Sequence, residues 1–261
     1  MTYFFIHTPK TSGTTFMDVL ASDKNNRVGF FYPPKPEMDK FEMRIKEGPS
    51  YNLEKNPNWQ QYNFIGGHFT FGIHDIFKSN QFKYLGVVRE PTGHFVSAYK
   101  ALLRMPETYQ NFLLPTEKTM ENFMTIEYLH NMQTFFLSGM SINEIKKDKV
   151  KAYDKVVENY EKHFVGIYPT HLFDEGLIFF KHKIGIKPQS YSNRNVARNN
   201  PNQVLSNETL EKIALVNDVD IKVYDYFLKK FNAEFSAIPM ANLQVRLLQA
   251  NNAINRMLAG K

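Results

Sequence analysis

The chain has 261 residues, with 32 Lys+Arg against 26 Asp+Glu for a formal net charge of +6, and 43% of it is hydrophobic. That length and composition fit one large α/β domain or two small ones with a substantial core, and exclude a chain disordered throughout. The lack of any cysteine excludes a disulfide framework, a thiolate metal site and a cysteine nucleophile together. No apolar run approaches the roughly 20 residues of a membrane-spanning helix, and no leader-like pattern opens the sequence, so a cytoplasmic protein is expected.

Residues 2–7 (TYFFIH) are an aromatic and β-branched run, read as a buried strand. Residues 8–15 (TPKTSGTT) are turn-rich and lead into the start of a helix at 16–20. The stretch 33–57, rich in Pro, Lys, Glu and Asn, reads as an insertion or long loop. A second core strand is expected at 63–67 (NFIGG) and the clearest one at 84–88 (YLGVV). Pro91 then suits the first turn of a helix running through Leu103. Residues 105–118 are loop-like, 121–137 have helical length and apolar spacing, and 149–162 read as another helix. A strand at 164–167 (FVGI), a helix through Phe180 and a polar loop over 185–206 follow. Ser206 is a capping candidate for a long helix to about Phe231.

Strands alternating with helices imply a parallel sheet with helices on its faces. One domain is expected over residues 1–235, with insertions near 32–62 and 105–118, followed by a helical tail at 236–261. In that tail Leu243, Leu247, Ala250, Ile254 and Met257 recur at spacings of four and three, an amphipathic stripe. It is expected to pack on the core or, in a homo-oligomer, on another subunit.

The positive charge is unevenly placed. Residues 236–261 carry Arg246, Arg256 and Lys261 and no acid, and residues 176–207 carry Lys181, Lys183, Lys187, Arg194 and Arg198, again without an acid. Basic surface of this kind suits a small polyanion or a nucleic-acid backbone, or is a solvated face. No helix-turn-helix, zinc-finger or RNP-type pattern favours nucleic acid.

The strand–loop–helix over residues 7–20 is the most informative segment. Backbone N–H groups at a helix N-terminus, with a lysine in the turn and hydroxyls behind it, form an anion cradle. The Walker pattern is not met, because Lys10 precedes Gly13 and no first glycine exists. A surface turn is the plain alternative. A second junction lies at 84–99 (YLGVVREPTGHFVSAY), where Arg89 ends a strand and Ser97 lies on the following helix. An Arg fork and a hydroxyl so placed can converge on one phosphate; an ion pair for Arg89 and a solvated position for Ser97 are the alternatives.

The segment FIHTPKTSGTTF resembles the 5′-phosphosulfate-binding loop of sulfotransferases, nearest the carbohydrate O-sulfotransferases related to the heparan sulfate 2-O and 6-O enzymes. Arg89 followed at the family's spacing by Ser97 resembles its 3′-phosphate-binding motif. The segments NMQTFFLSG (131–139), FDEGL (173–177) and NDVDIKVYDYF (217–227) are also similar to the family, so the likeness spans about residues 3–231. It implies an α/β, P-loop-NTPase-like three-layer fold with a central parallel sheet flanked by helices. It also implies 3′-phosphoadenosine 5′-phosphosulfate (PAPS) as sulfuryl donor and co-substrate.

The resemblance also implies the site residues. Lys10 holds the phosphosulfate and stabilises the departing phosphate, and Thr11, Ser12, Gly13, Thr14 and Thr15 supply donors to the 5′-phosphate. His68, in GGHFTF, is the expected general base, since an unperturbed imidazole with a pKa of about 6.5 is largely neutral near pH 7. Arg89 and Ser97 are expected on the 3′-phosphate, and Arg198 on that phosphate or an anionic acceptor, with a solvated loop charge as its alternative. His7, Gln133 and Arg194 are assigned to the substrate more loosely, with a buried strand-end histidine, helix packing and a solvated loop charge as their alternatives. The histidines show no coherent metal spacing, so no metal is expected.

The function expected is sulfuryl transfer from PAPS to an acceptor hydroxyl on a carbohydrate, by in-line displacement. The alternatives are a sulfotransferase for a small-molecule, lipid or polyketide hydroxyl, a P-loop-like kinase, and a non-catalytic nucleotide-binding protein. Acceptor specificity is expected in 31–62 and 105–118, where Tyr32, Phe41, Tyr51, Trp59, Tyr109 and Phe112 could stack on a sugar or simply pack.

Overall fold

In β1 (Thr2–Ile6) alternate side chains divide between two layers: Phe4 and Ile6 face one, Phe5 the other, and all three are fully buried. The same division holds in β4 (Phe82–Val88), where Tyr84 and Val88 oppose Leu85 and Val87. Strands buried on both faces are the signature of a parallel sheet covered by helices. The computed structural model describes residues 1–31, 59–76, 81–105, 107, 115, 117–188, 191 and 205–259. It shows that sheet, completed by β2 (Val28–Phe31), β3 (Phe64–Gly67) and β5 (Phe164–Pro169). All four pairings are parallel and the order is β2-β3-β1-β4-β5.

One layer packs α5 (Met132–Ser138), α7 (Lys149–His163) and α10 (Asp218–Ser236) on Phe4, Ile6, Ile65 and Val88. The other packs α1 (Gly13–Ser22), α8 (Phe173–Ile184) and α11 (Ala241–Ala259) on Phe5, Phe64, Leu85 and Val87. Helix α10 serves both, with Phe227 in the first layer and Phe231 in the second. A third cluster joins α3 (Pro91–Leu102), α4 (Met120–Phe123) and α9 (Asn207–Val216) through Phe95, Phe123 and Ile213. The short α2 (Ile73–Ile76) and α6 (Ile142–Lys147) complete the described helices, and none of these is long and apolar enough to cross a membrane.

Local chemistry sets several boundaries. Pro91 occupies the first turn of α3, and the Glu90 carboxylate caps it by accepting from Thr92 N and Gly93 N. Ser206 caps α9 through Thr209 N at 3.1 Å. Ser141 and Glu144 close a reciprocal capping box on α6.

The structure departs from expectation in four places. Strand β2 was not anticipated. Residues 121–137, read as one helix, are α4, a 3₁₀ turn (Glu127–Leu129) and α5. The helix expected from Ser206 to Phe231 is α9 and α10, broken at Asn217. Both breaks have a tertiary cause: Asn131, at φ 48°, begins α5, and its backbone N–H donates to Asn217 Oδ1 at 3.1 Å. The tail is a helix, but its buried residues are Ala241, Val245, Leu248 and Asn252, whereas Leu243, Leu247, Ile254 and Met257 are 46–72% exposed. The stripe does not pack on the core, the first of the two placements expected; the helix docks by the neighbouring face.

Candidate active site

Four strands deliver a polar residue at the first position beyond their carboxyl ends: His7 after β1, His68 after β3, Arg89 after β4 and Thr170 after β5. The carboxyl ends of parallel strands are where α/β sheets bind ligands. Because β1 lies between β3 and β4, the loop from His7 to Ser12 runs between His68 on one flank and Arg89 on the other.

The loop is held by its carbonyls. Five in succession accept side-chain hydrogen bonds: His7 O from His68 Nδ1 (2.6 Å), Thr8 O from Thr11 Oγ1 (2.6 Å), Pro9 O from His94 Nε2 (2.7 Å), Lys10 O from Arg89 Nη1 (3.0 Å) and Thr11 O from Thr170 Oγ1 (3.2 Å). These bonds hold Lys10 and Ser12 in the left-handed region, at φ 68° and 66°, which costs a non-glycine residue about 1–2 kcal/mol. Strain kept in place by surrounding bonds is characteristic of functional loops. Ser12 makes no side-chain cap on α1, and the N-terminus of a helix, where the dipole is positive, is a position that can bind an anion.

On the β4 flank the loop borders a cleft of about 640 Å³. Lys10, Ser12, Arg89 and Ser97 line it together, with Arg104, Thr170, His171 and Tyr224 also on its wall. Burial and the charges of Arg104 and Arg89 push the Lys10 ammonium below its usual range, and burial lowers Arg89. Among the described residues, none of these three cations forms an ion pair with a carboxylate. Glu90 also lines the cleft, but its carboxylate is engaged at the N-terminus of α3. A wall of mutually repelling cations can bind a polyanion.

The β3 flank is different. The His68 ring lies 4.5 Å from the His7 ring, centroid to centroid. A carbonyl only accepts, so His68 Nδ1 carries the proton it gives to His7 O, and Nε2 is the basic nitrogen of the neutral ring. Burial lowers the His68 pKa, partly offset by that hydrogen bond, and holds His7 well below the usual histidine range. His7 is buried against Gly13, where an added Cβ would stand 2.1 Å from its ring, so glycine is required there by close approach.

The remaining expected residues divide. Gly13, Thr14 and Thr15 form the first turn of α1, Thr14 half-buried and the other two buried. The Thr11 hydroxyl is turned inward onto Thr8 O. Gln133 is 1% exposed, and its amide meets the backbone of Arg89 instead of the cleft. Arg194, Arg198, Tyr32, Phe41, Tyr51, Tyr109, Phe112 and the Trp59 side chain lie outside the described residues. Lys183, from the basic stretch, pairs with Glu234 at 2.7 Å on another face.

Arg104, His94, His171 and Tyr224 were not singled out as site residues. Arg104 had a signal, since it is a cation just past the end of the helix that carries Ser97. His94, His171 and Tyr224 had none, because their partners are distant in sequence: His94 Nε2 reaches Pro9 O, and Tyr224 Oη lies 3.2 Å from His171 Nδ1. Among the described residues no group of three or more His, Asp or Glu could hold a metal ion. No protein-family model matches the chain, and no curated sequence is similar to it.

Proposed function

We propose that the chain is a PAPS-dependent O-sulfotransferase with a P-loop-like donor site, acting on a hydroxyl of a carbohydrate. The observation that carries this reading is the convergence of two segments 79 residues apart: Arg89 Nη1 donates to Lys10 O at 3.0 Å, and both side chains share one cleft with Ser12 and Ser97. The donor set fits the co-substrate, because Lys10, Arg89 and Arg104 together offer positive charge to a ligand that carries a phosphosulfate and a further phosphate.

In this reading Arg89 and Ser97 bind the 3′-phosphate, and Lys10 with the first turn of α1 binds the 5′-phosphosulfate. Bound PAPS supplies an activated sulfuryl group. As the acceptor oxygen bonds to sulfur and the sulfur–oxygen bond to the phosphate breaks, His68 Nε2 takes the acceptor proton. Lys10 then stabilises the charge left on the phosphate. The strand order β3-β1-β4 supports this division, since base and phosphate clamp stand on opposite flanks of one loop.

Purified protein given labelled PAPS and a panel of glycans should transfer label, and Lys10→Ala or His68→Ala should lower transfer strongly. Thermal stabilisation by the desulfated product PAP without metal is expected. Stabilisation by ATP with Mg²⁺ alone would overturn the reading in favour of a kinase, and PAP binding with no transfer to any acceptor would favour a nucleotide-binding protein.

A further inference from the structure

The helices α5 and α10 meet N-terminus to N-terminus, each capped by a side chain of the other. Asn131 Oδ1 accepts from Val219 N (2.9 Å) and Asp220 N (3.0 Å), the second and third residues of α10. Asp220 returns the contact: its carboxylate accepts from Gln133 N (3.0 Å) and Thr134 N (2.7 Å), the second and third residues of α5, and from Thr134 Oγ1 at 2.6 Å. Asn131, Gln133, Thr134 and Asp220 are all buried, at 0–5% exposure. Four N–H groups that a helix start leaves unpartnered are thus satisfied across 86–89 residues of sequence.

A capping carboxylate explains a stable helix start, but the reach of this one is longer. Gln133, pinned through its backbone by Asp220, sends its side-chain amide to the strand end of β4. There Oε1 accepts from Arg89 N at 2.7 Å and Nε2 donates to Arg89 O at 2.9 Å. A two-point grip on one peptide residue fixes the backbone from which the guanidinium projects, and that guanidinium holds Lys10 O. An apolar side chain at 133 would fill the space equally well yet leave both Arg89 backbone groups without these partners.

We infer that Gln133 and Asp220 are positioning residues for the phosphate clamp: Asp220 sets the start of α5, and Gln133 transmits that placement to Arg89 and through it to the Lys10 loop. Neither touches the cleft. The inference rests on the reading that Arg89 grips a donor phosphate, although the grip of Gln133 on Arg89 can be tested apart from it. The burial that raises the Asp220 pKa to about 6 accords with a carboxylate kept in place for its hydrogen bonds at some electrostatic cost.

The test measures PAP affinity by calorimetry and hydrogen exchange at the Arg89 amide, in wild type, Gln133→Leu, Gln133→Glu and Asp220→Asn. Gln133→Leu should speed exchange of the Arg89 amide and weaken PAP binding by about 10-fold or more, with KM for PAPS rising more than kcat falls. Gln133→Glu, which keeps the acceptor for Arg89 N and loses the donor to Arg89 O, should lie between Leu and wild type, and it serves if the Leu variant does not fold. Asp220→Asn should act in the same direction, and the Gln133→Leu/Asp220→Asn double variant should lose less than the two singles combined. A loss of thermal stability with PAP affinity within twofold and Arg89 exchange unchanged would reduce both residues to ordinary capping and overturn the inference. Wild type that fails to bind PAP would overturn the proposed function instead, leaving Arg89 exchange to decide the grip.

Discussion

The two flanks of the β1–α1 loop are built alike and charged differently. Each begins with the residue that follows a parallel strand, yet the β4 flank gathers Lys10, Arg89 and Arg104 around an open cleft while the β3 flank brings together two imidazoles that burial keeps neutral. On the proposed function, charge is kept where an incoming anion would neutralise it, and suppressed where a nitrogen would need its lone pair. Binding and proton transfer should therefore separate under mutation.

The largest expected effect is on the neutral flank. His68→Ala should lower kcat by about 10²–10⁴-fold, the usual contribution of a general base, with PAP affinity within twofold of wild type. A parallel loss of PAP affinity would erase the distinction between the flanks. Because the His68 pKa is lowered, the acid limb of kcat should fall below pH 6.5, with activity level above it until the Lys10 ammonium loses its proton; an acid limb above pH 7 would exclude His68 as the base. On the cationic flank Arg89→Ala should raise the PAP dissociation constant by about 10- to 100-fold, as expected for lost hydrogen bonds to a charged group. That variant should also flatten the salt dependence of binding, and kcat at saturating donor should fall less.

His94 tests the scaffold behind both flanks. Its burial lowers the pKa to about 4, below the unfolded value, so its contribution to stability is full above about pH 6.5 and is lost as pH falls through 4. The shift corresponds to about 3 kcal/mol. Asp220, raised to about 6, works in the opposite sense, since its contribution is full below about pH 4 and is lost as pH rises through 6. Urea midpoints at pH 7 and pH 4.5 should therefore differ more in wild type than in His94→Gln, which keeps a donor for Pro9 O but does not titrate. Equal differences would show that His94 does not carry this dependence. The smallest effect should come from Ser12→Gly, which relieves a φ of 66° and should stabilise the fold by up to about 1 kcal/mol, read in the same urea experiment. Destabilisation there would mean that the serine hydroxyl matters more to the loop than its backbone strain.

Much of this was legible in the chain because it is local. The strands at 2–7 and 84–88 announce themselves by aromatic and branched runs, Pro91 marks a helix start, and the order lysine-then-glycine in PKTSG separates this loop from a Walker loop. The breaks at Asn131 and Asn217 were not legible, since local spacing favours continuous helices there and only reciprocal bonds between two distant segments end them. The same limit applies to Gln133. Its identity pointed to the site, but its task depends on Arg89, 44 residues earlier, and on Asp220, 87 residues later. In the tail the spacing of Leu243, Leu247 and Ile254 indicated an amphipathic helix, while burial against the core went to Val245 and Leu248 beside them.

The composition at the outset, +6 with no cysteine, left a cationic and thiol-free chemistry open, and the sequence by itself determined its alphabet: a lysine in a loop, an arginine and two histidines at strand ends. Periodicity and turn chemistry act over a few residues, so they suffice to place each of these at the end of a strand or the start of a helix. Only the tertiary structure decided which stand together. The strand order β3-β1-β4 put His68 and Arg89 on opposite flanks of Lys10, left Lys183 in an ion pair on another face, and turned His7 and Gln133 into the interior. The reason is physical: which strands become neighbours is settled by burying both faces of the sheet at once, a sum over contacts distant in sequence that no local window contains.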